Sequence, residues 1–164
     1  MAKVDFFLKI DGIEGESMDA KHAKEIELQS WSWGAMNSGT FSSTMGGGAG
    51  KVSMQDFTFS QVIQKSTPKL VKSCATGAHI ANALLTCRKA GGGNQPGQEY
   101  LKIKFYDILV SHYQTGGHGG DVVPTDSISL NFAKIDFSYA PQKQDGTLDG
   151  PIVATFDLKT NTAS

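Results

Sequence analysis

The chain has 164 residues, of which 39% are hydrophobic and 19% charged, and its formal net charge is −1. This length and composition are typical of one globular domain, so we predict a single domain over residues 1–164. The near-zero charge gives no basis for binding nucleic acid or an anionic membrane, and no apolar run is long enough to span a bilayer.

The N-terminal segment predicts a half-buried strand, because Val4, Phe6, Leu8 and Ile10 lie on one side of an extended chain. The segment also carries charges within its apolar run and has no small-residue cleavage site. A cleaved secretory signal is therefore not expected, and export would use another route.

A second extended segment, residues 23–34, contains the two tryptophans of the chain, Trp31 and Trp33. Side chains alternate along a strand, so the tryptophans lie opposite Ser30 and Ser32. We expect the tryptophans to enter a core and the serines to form a small polar face. The pattern fits a barrel wall or a sandwich strand equally well.

A stretch rich in Gly, Ser and Thr follows, and we predict an extended loop at about residues 37–50. Loops of this length are uncommon in compact domains and often have a function. A P-loop is not indicated, because Lys51 is followed by Val52 where a hydroxyl would be needed to reach magnesium.

The next elements are a strand over residues 51–62, with a bulge or bend near Asp56, and one short helix at about 67–76. Ser66 or Thr67 is the predicted N-cap, Pro68 occupies N1, and Gly77 ends the helix.

Further strands are predicted over residues 78–93, 98–117, 127–139 and 152–158, and the third of these contains a change of phase that indicates a bulge. The total is about seven to eight strands joined by glycine-rich turns. This pattern predicts a mainly β fold, a compact antiparallel β-barrel or two-sheet sandwich with one short α-helix and a long extended loop.

No motif for catalysis or metal binding is present in the sequence. The four histidines are scattered, and Cys74 and Cys87 lack zinc or redox spacing, so we expect free thiols. Glu25 and Glu27 share a strand face, where solvated or ion-paired carboxylates are the default. We therefore predict no catalytic residue, cofactor or metal, and a binding or assembly role rather than an enzyme.

Six blocks occur in order over nearly the whole chain: FLKIDGIEGES, HAKEIELQSWSWG, GGGAGKVSMQDFTF, KSTPKLVKSCATGAHI, LTCRKAGG and SLNFAKIDFSYAPQ. Together they resemble the Hcp family, the haemolysin-coregulated proteins of bacterial type VI secretion. The resemblance implies a β-barrel with one helix that forms homohexameric rings. It further implies that the rings stack into the inner tube of a contractile injection apparatus.

The resemblance also implies partners and a location. The tube is capped by a VgrG-type spike, surrounded by a contractile sheath, and able to hold small effector proteins in its lumen. The protein would reside in the bacterial cytoplasm before firing and then be secreted without a cleaved signal. Neither nucleic-acid binding nor membrane insertion is expected.

Two groups of site residues follow from the resemblance. The long loop would contact a neighbouring subunit or the next ring, and Ser30 and Ser32 would face the lumen; a free surface loop and an ordinary solvated face are the open alternatives. The loop residues assigned to subunit contact are Asn37, Ser38, Thr40, Phe41, Met45, Gly46, Gly47 and Gly48.

An alternative function is a secreted effector or enzyme on the same β scaffold. It would require acid, base or metal-binding residues that converge in a pocket, and the sequence shows none. The chain ends shortly after its last predicted strand, so a plain tube subunit is expected rather than a tube protein fused to a toxin.

Overall fold

The computed structural model describes residues 4–39, 51–90, 97–120 and 123–164. Within these residues the first elements are β1 (Val4–Ile10), β2 (Ile26–Glu27), β3 (Ser30–Ser32), β4 (Ala35–Asn37), β5 (Val52–Met54), β6 (Phe57–Val62) and α1 (Thr67–Thr76). The remaining strands are β7 (Ile80–Lys89), β8 (Gln98–Gly116), β9 (Thr125–Asn131), β10 (Lys134–Tyr139), β11 (Ile152–Asp157) and β12 (Thr162–Ala163).

The strands form two antiparallel sheets that share the long strand β8. Sheet A has the order β12-β11-β10-β8-β7-β1-β2, and sheet B has the order β3-β6-β9-β8. Strand β8 pairs with β7 and β10 through its first half and with β9 from Leu109 onward. The predicted mainly β fold is confirmed. Among the described residues the pairing of sheet A ends at β12 and β2 rather than closing, so these residues form a sandwich and not a closed barrel.

The core lies between the facing sides of the two sheets. Phe57 and Phe59 of β6 are buried against Ile128 and Leu130 of β9, and Phe105 of β8 lies 4.8 Å from Phe57, centroid to centroid. Each such side chain contributes about 1.5–3 kcal/mol when removed from water.

The tryptophan segment is not the single strand that its sequence predicts. Its first part, β2, pairs with β1 in sheet A, and β3 pairs with β6 in sheet B. The reason lies in consecutive amides: Leu28 N–H donates to Phe6 O at 2.9 Å, whereas Gln29 N–H donates to Ser60 O at 2.9 Å. The chain therefore changes sheet at this point, and the buried side changes phase from Leu28 to Trp31.

The predicted bulge or bend near Asp56 and the predicted bulge over residues 127–139 are also corners. The segment over residues 127–139 divides into β9 of sheet B and β10 of sheet A, and the segment over residues 51–62 divides into β5 and β6. Near each corner a backbone amide donates to a backbone carbonyl that is distant in the sequence. Ala133 N–H donates to Tyr106 O at 3.0 Å, and Gln55 N–H donates to Gly34 O at 2.8 Å. The predicted bend near Asp56 is therefore present as a corner, whereas the bulge predicted over residues 127–139 is a corner between two sheets.

The predicted helix is present, and it ends at Gly77, which has the left-handed φ of 67°. Ser66 does not cap the helix with its side chain. The reason is its burial: its hydroxyl donates to Gln61 Oε1 at 2.9 Å instead. The helix is thus fixed to β6 by a buried polar contact.

A buried carboxylate joins the same helix to sheet B. Asp126 is 1% exposed and accepts hydrogen bonds from Thr67 Oγ1 at 2.7 Å, Gln61 Nε2 at 3.1 Å and Tyr113 OH at 2.9 Å. Burial raises the pKa of Asp126, but these hydrogen bonds outweigh burial and hold it below its usual value.

Candidate functional site

The outer side of sheet B carries six small hydroxyl side chains in register, which we call the hydroxyl face. Ser30, Ser60 and Ser127 are cross-strand partners in one row. A parallel row crosses the same three strands two residues away, so the hydroxyl face comprises Ser30, Ser32, Thr58, Ser60, Ser127 and Ser129.

The hydroxyls are connected to one another across the strands. Ser30 Oγ lies 2.6 Å from Ser60 Oγ, and Thr58 Oγ1 lies 2.9 Å from Ser129 Oγ. Between the two rows, the alternate positions Trp31, Phe59 and Ile128 point to the core. The period of two thus places the large side chains inside and leaves six short, uncharged side chains on the outer surface.

The structure therefore brings Ser30 and Ser32 together with four hydroxyls that sequence reasoning did not single out. Their signal is present in the sequence, because Ser or Thr occupies alternate positions in β6 (FTFSQV) and β9 (TDSISLN). The register between the strands, which places the hydroxyls side by side, depends on partners far apart in the sequence.

The chemistry of the hydroxyl face is limited to neutral hydrogen bonding. His112 lies opposite Ser129 in the register of β8 and β9, yet within the described residues it hydrogen-bonds to none of the six hydroxyls. A serine nucleophile needs a base within hydrogen-bond reach. The neutral hydroxyls of the face can hydrogen-bond to a polar surface.

The base of the predicted loop is a separate two-stranded ribbon. Ala35–Asn37 pairs with Val52–Met54, and this pair belongs to neither sheet A nor sheet B. Met36 is 68% exposed, and Asn37 and Ser38 are also exposed. Of the predicted contact residues, six lie outside the described residues: Thr40, Phe41, Met45, Gly46, Gly47 and Gly48.

A strap formed by residues 11–25 lies across the outer side of sheet A. Its own backbone is paired, with Gly15 N–H donating to Lys24 O at 2.8 Å and Ser17 N–H to Glu25 O at 3.0 Å. Gly15 has to be glycine, because a Cβ would lie 2.5 Å from Glu25 O.

Arg88 of β7 attaches the strap to the sheet. Its guanidinium donates to both carboxylate oxygens of Asp19, at 3.0 and 2.6 Å, and to Asp5 at 3.0 Å. The hydrogen bonds from Arg88 hold the pKa of Asp19 far below its usual value.

His22 makes a second attachment of the strap. Its Nδ1 lies 2.9 Å from Glu25 and its Nε2 lies 2.6 Å from Glu99 on β8. The imidazole also stacks on Phe7, with ring centroids 4.4 Å apart. Glu25 and Glu27 therefore have different environments: Glu25 is paired with His22, whereas Glu27 is exposed on an edge strand.

The described residues are 4–39, 51–90, 97–120 and 123–164. These residues contain no group of three or more His, Cys, Asp or Glu side chains arranged to hold a metal ion. The one helix they form, α1, is too short and too polar to cross a membrane. Cys74 and Cys87 are free thiols, half-buried and buried respectively.

Residues 7–139 match the sequence model of a family described as "Type VI secretion system effector, Hcp". The chain belongs to the Hcp family of type VI secretion system proteins. It is 47% identical over 159 residues to Protein hcp1 of Pseudomonas aeruginosa, a match that covers 96% of this chain and 97% of that protein. The resemblance that the six sequence blocks indicated is confirmed.

Solved structures of the family share the fold. One, described as a type six secretion system protein, superposes with a TM-score of 0.89 at 30% identity and covers 98% of this chain and 99% of its own. Hcp1 from Salmonella typhimurium superposes with a TM-score of 0.78 at 36% identity, with the same coverage of 98% and 99%. The sandwich described above is therefore an Hcp fold over nearly its whole length.

Proposed function

We propose that this Hcp-family protein is a structural, non-enzymatic subunit of the type VI secretion inner tube. Six copies form a ring, the rings stack, and the tube is capped by a VgrG-type spike and enclosed by a contractile sheath. The protein is held in the bacterial cytoplasm before firing and is then expelled with the tube. Small effector proteins travel in its lumen.

The observation that carries this proposal is the hydroxyl face. A tube wall in contact with varied cargo must bind weakly and must not attract one sign of charge. Six short, neutral hydroxyls in two registered rows supply hydrogen bonds of about 1 kcal/mol each and no net charge. We therefore assign the hydroxyl face, including Ser30 and Ser32, to the lumen, and the outer side of sheet A to the exterior of the ring.

The exposed ribbon β4–β5 supports a role of the predicted loop in contacts between copies of the protein. A two-stranded ribbon is only marginally stable by itself, and Met36 presents an apolar side chain to solvent at 68% exposure. A contact with another copy would stabilise the ribbon and would bury the Met36 side chain. We assign this arm, with Asn37 and Ser38 at its base and the residues up to Gly48 beyond, to contacts between subunits or between rings.

The first test is the mass of the purified protein by light scattering, with negative-stain images of the same peak. We expect six times the 17.5 kDa of one chain and rings with an open centre. A monomer at every concentration tested would contradict the tube assignment, because a tube requires self-association.

The arm is tested in the same experiment with Met36→Lys and a matched control, Met18→Lys, which changes a 96% exposed methionine of the strap. We expect Met36→Lys to weaken ring formation or stacking while the monomer stays folded by circular dichroism. Equal assembly of both variants and the parent protein would contradict the role assigned to the arm.

A further inference from the structure

A groove of about 340 Å³ lies where both sheets end on the same side of the sandwich. Strand β2 is the last strand of sheet A, β3 is the last strand of sheet B, and the groove lies between the link that joins them and the end of β6. We call it the edge groove; it is lined by Glu16, Glu27, Leu28, Val62, Ile63 and neighbouring polar residues.

The edge groove combines an apolar lining with two carboxylates. Val62 and Ile63 are adjacent aliphatic residues, 37% and 36% exposed, and both line the groove. In the described part of the chain neither Glu16 nor Glu27 has a cation within 4.0 Å. Other acids of the same region are paired: Glu14 binds Lys65 at 3.0 Å and Glu25 binds His22 at 2.9 Å.

This combination is complementary to one type of side chain. The side chains of lysine and arginine have an aliphatic stem and a cationic head. The stem fits the apolar lining of the groove, and the head fits its two unpaired carboxylates. Arg88 is the one arginine of the sequence, and Asp5 and Asp19 already hold it. A cation supplied by a second copy of this chain would therefore be a lysine.

We propose that the edge groove receives a lysine side chain of the neighbouring copy and so forms part of the lateral contact of the ring. This inference rests on the proposed function. A ring is built from a heterologous contact, in which two different surfaces meet, so the lysine lies on a surface other than the groove. Ten described lysines have no carboxylate within 4.0 Å among the described residues, and none of them lines the groove: Lys9, Lys21, Lys24, Lys51, Lys69, Lys72, Lys89, Lys104, Lys134 and Lys143.

The position of the edge groove supports a copy of this chain as the occupant. Both sheets end there, and an open strand edge is the part of a β protein that is most prone to contact another chain. The polar lining also suits a contact between subunits, because Gln29 and Gln64 can donate to acceptors on the incoming surface.

Zero-length cross-linking tests the contact directly. A carbodiimide activates a carboxylate, a lysine amine within contact distance displaces the urea, and an amide bond remains between the two side chains. Rings are assembled from a mixture of ¹⁵N-labelled and unlabelled protein, and the cross-linked peptides are analysed by mass spectrometry. A peptide pair with one labelled and one unlabelled member comes from two different copies. We expect a mixed-isotope peptide that joins Glu16 or Glu27 to one lysine, and its sequence identifies that lysine.

The matched variants are the double change Glu16→Gln and Glu27→Gln and the single change Glu14→Gln. Removal of the two groove charges is expected to raise the concentration at which rings dissociate about fivefold or more. Glu14→Gln removes a carboxylate of the same strap that is already paired with Lys65, and we expect no comparable change. Charge reversal of the identified lysine in the Glu27→Lys background should restore assembly.

The outcomes separate this inference from the proposed function. Rings that form without a cross-link from Glu16 or Glu27, and that dissociate at an unchanged concentration in the double variant, would overturn the groove contact and leave the tube assignment intact. If the parent protein never forms rings, both are overturned.

Discussion

The two outer faces of this sandwich belong to one fold and have opposite chemistry. The outer side of sheet B carries six short, uncharged hydroxyl side chains in two rows. The outer side of sheet A carries long charged side chains: Lys104 and Lys134 lie 5.0 and 4.9 Å from the centroid of the Tyr106 ring, and Tyr106 OH donates to Asp136 at 2.6 Å.

The charged contacts that attach the strap lie on sheet A, whereas the surface proposed to face the lumen lies on sheet B. Sheet A is reinforced from outside by the strap and its ion pairs, so a change there alters folding. Sheet B obtains its stability from the core side, where Phe57, Phe59 and Ile128 are buried, and its outer hydroxyls hydrogen-bond to one another across the strands.

The largest expected effect distinguishes the two faces in assembled tubes. In a Cys74→Ser background, Ser129→Cys on the hydroxyl face and Lys102→Cys on sheet A should both react with a small maleimide. With a maleimide coupled to a polymer too large for the lumen, only Lys102→Cys should be modified in tubes, because the tube wall excludes the polymer. Equal modification of both variants in tubes would contradict the lumen assignment. Dissociated protein is the control, in which both react.

The second effect concerns the strap. Arg88→Met keeps the aliphatic stem and removes the cation from Asp5 and Asp19, two partly buried carboxylates, so we expect a loss of about 2–3 kcal/mol in the free energy of unfolding. Lys102→Met breaks the more exposed pair with Glu99 and should cost less than about 1 kcal/mol. Urea unfolding of the three proteins measures the difference, and similar midpoints would show that the strap does not stabilise sheet A.

The sequence predicted the mainly β fold, the helix and the polar environment of Ser30 and Ser32, because these follow from local periodicity. It did not predict that β2 and β3 belong to different sheets. That outcome is decided by Phe6 and Ser60, whose carbonyls accept from consecutive amides of the tryptophan segment. Strand partners so distant along the chain leave no periodic signal. The attachment of the strap through Arg88 and His22 depends on distant partners in the same way.

Acid should weaken the ion pairs that attach the strap to sheet A. Arg88 lowers the folded-state pKa of Asp19 and, against burial, His22 and Lys102 lower that of Glu99. A lowered carboxylate pKa adds stability above the unfolded value of about 4, and this stability is lost as pH falls below it. The melting temperature should therefore fall as the pH is lowered from about 5 to about 2, and less steeply in Arg88→Met. An unchanged slope in that variant would exclude Asp19 as a main cause.

The smallest expected effect lies on the hydroxyl face. Ser30 and Ser60 are partly exposed and share one hydrogen bond of 2.6 Å, so their coupling should be about 0.5 kcal/mol in a cycle of Ser30→Ala, Ser60→Ala and the double variant. The single changes should each alter the free energy of unfolding by less than about 1 kcal/mol, since water replaces the lost partner. Urea unfolding at pH 7 provides the values. A coupling several times larger would mean that the hydroxyl rows stabilise sheet B, and the division between a stabilising face and a contact face would no longer hold.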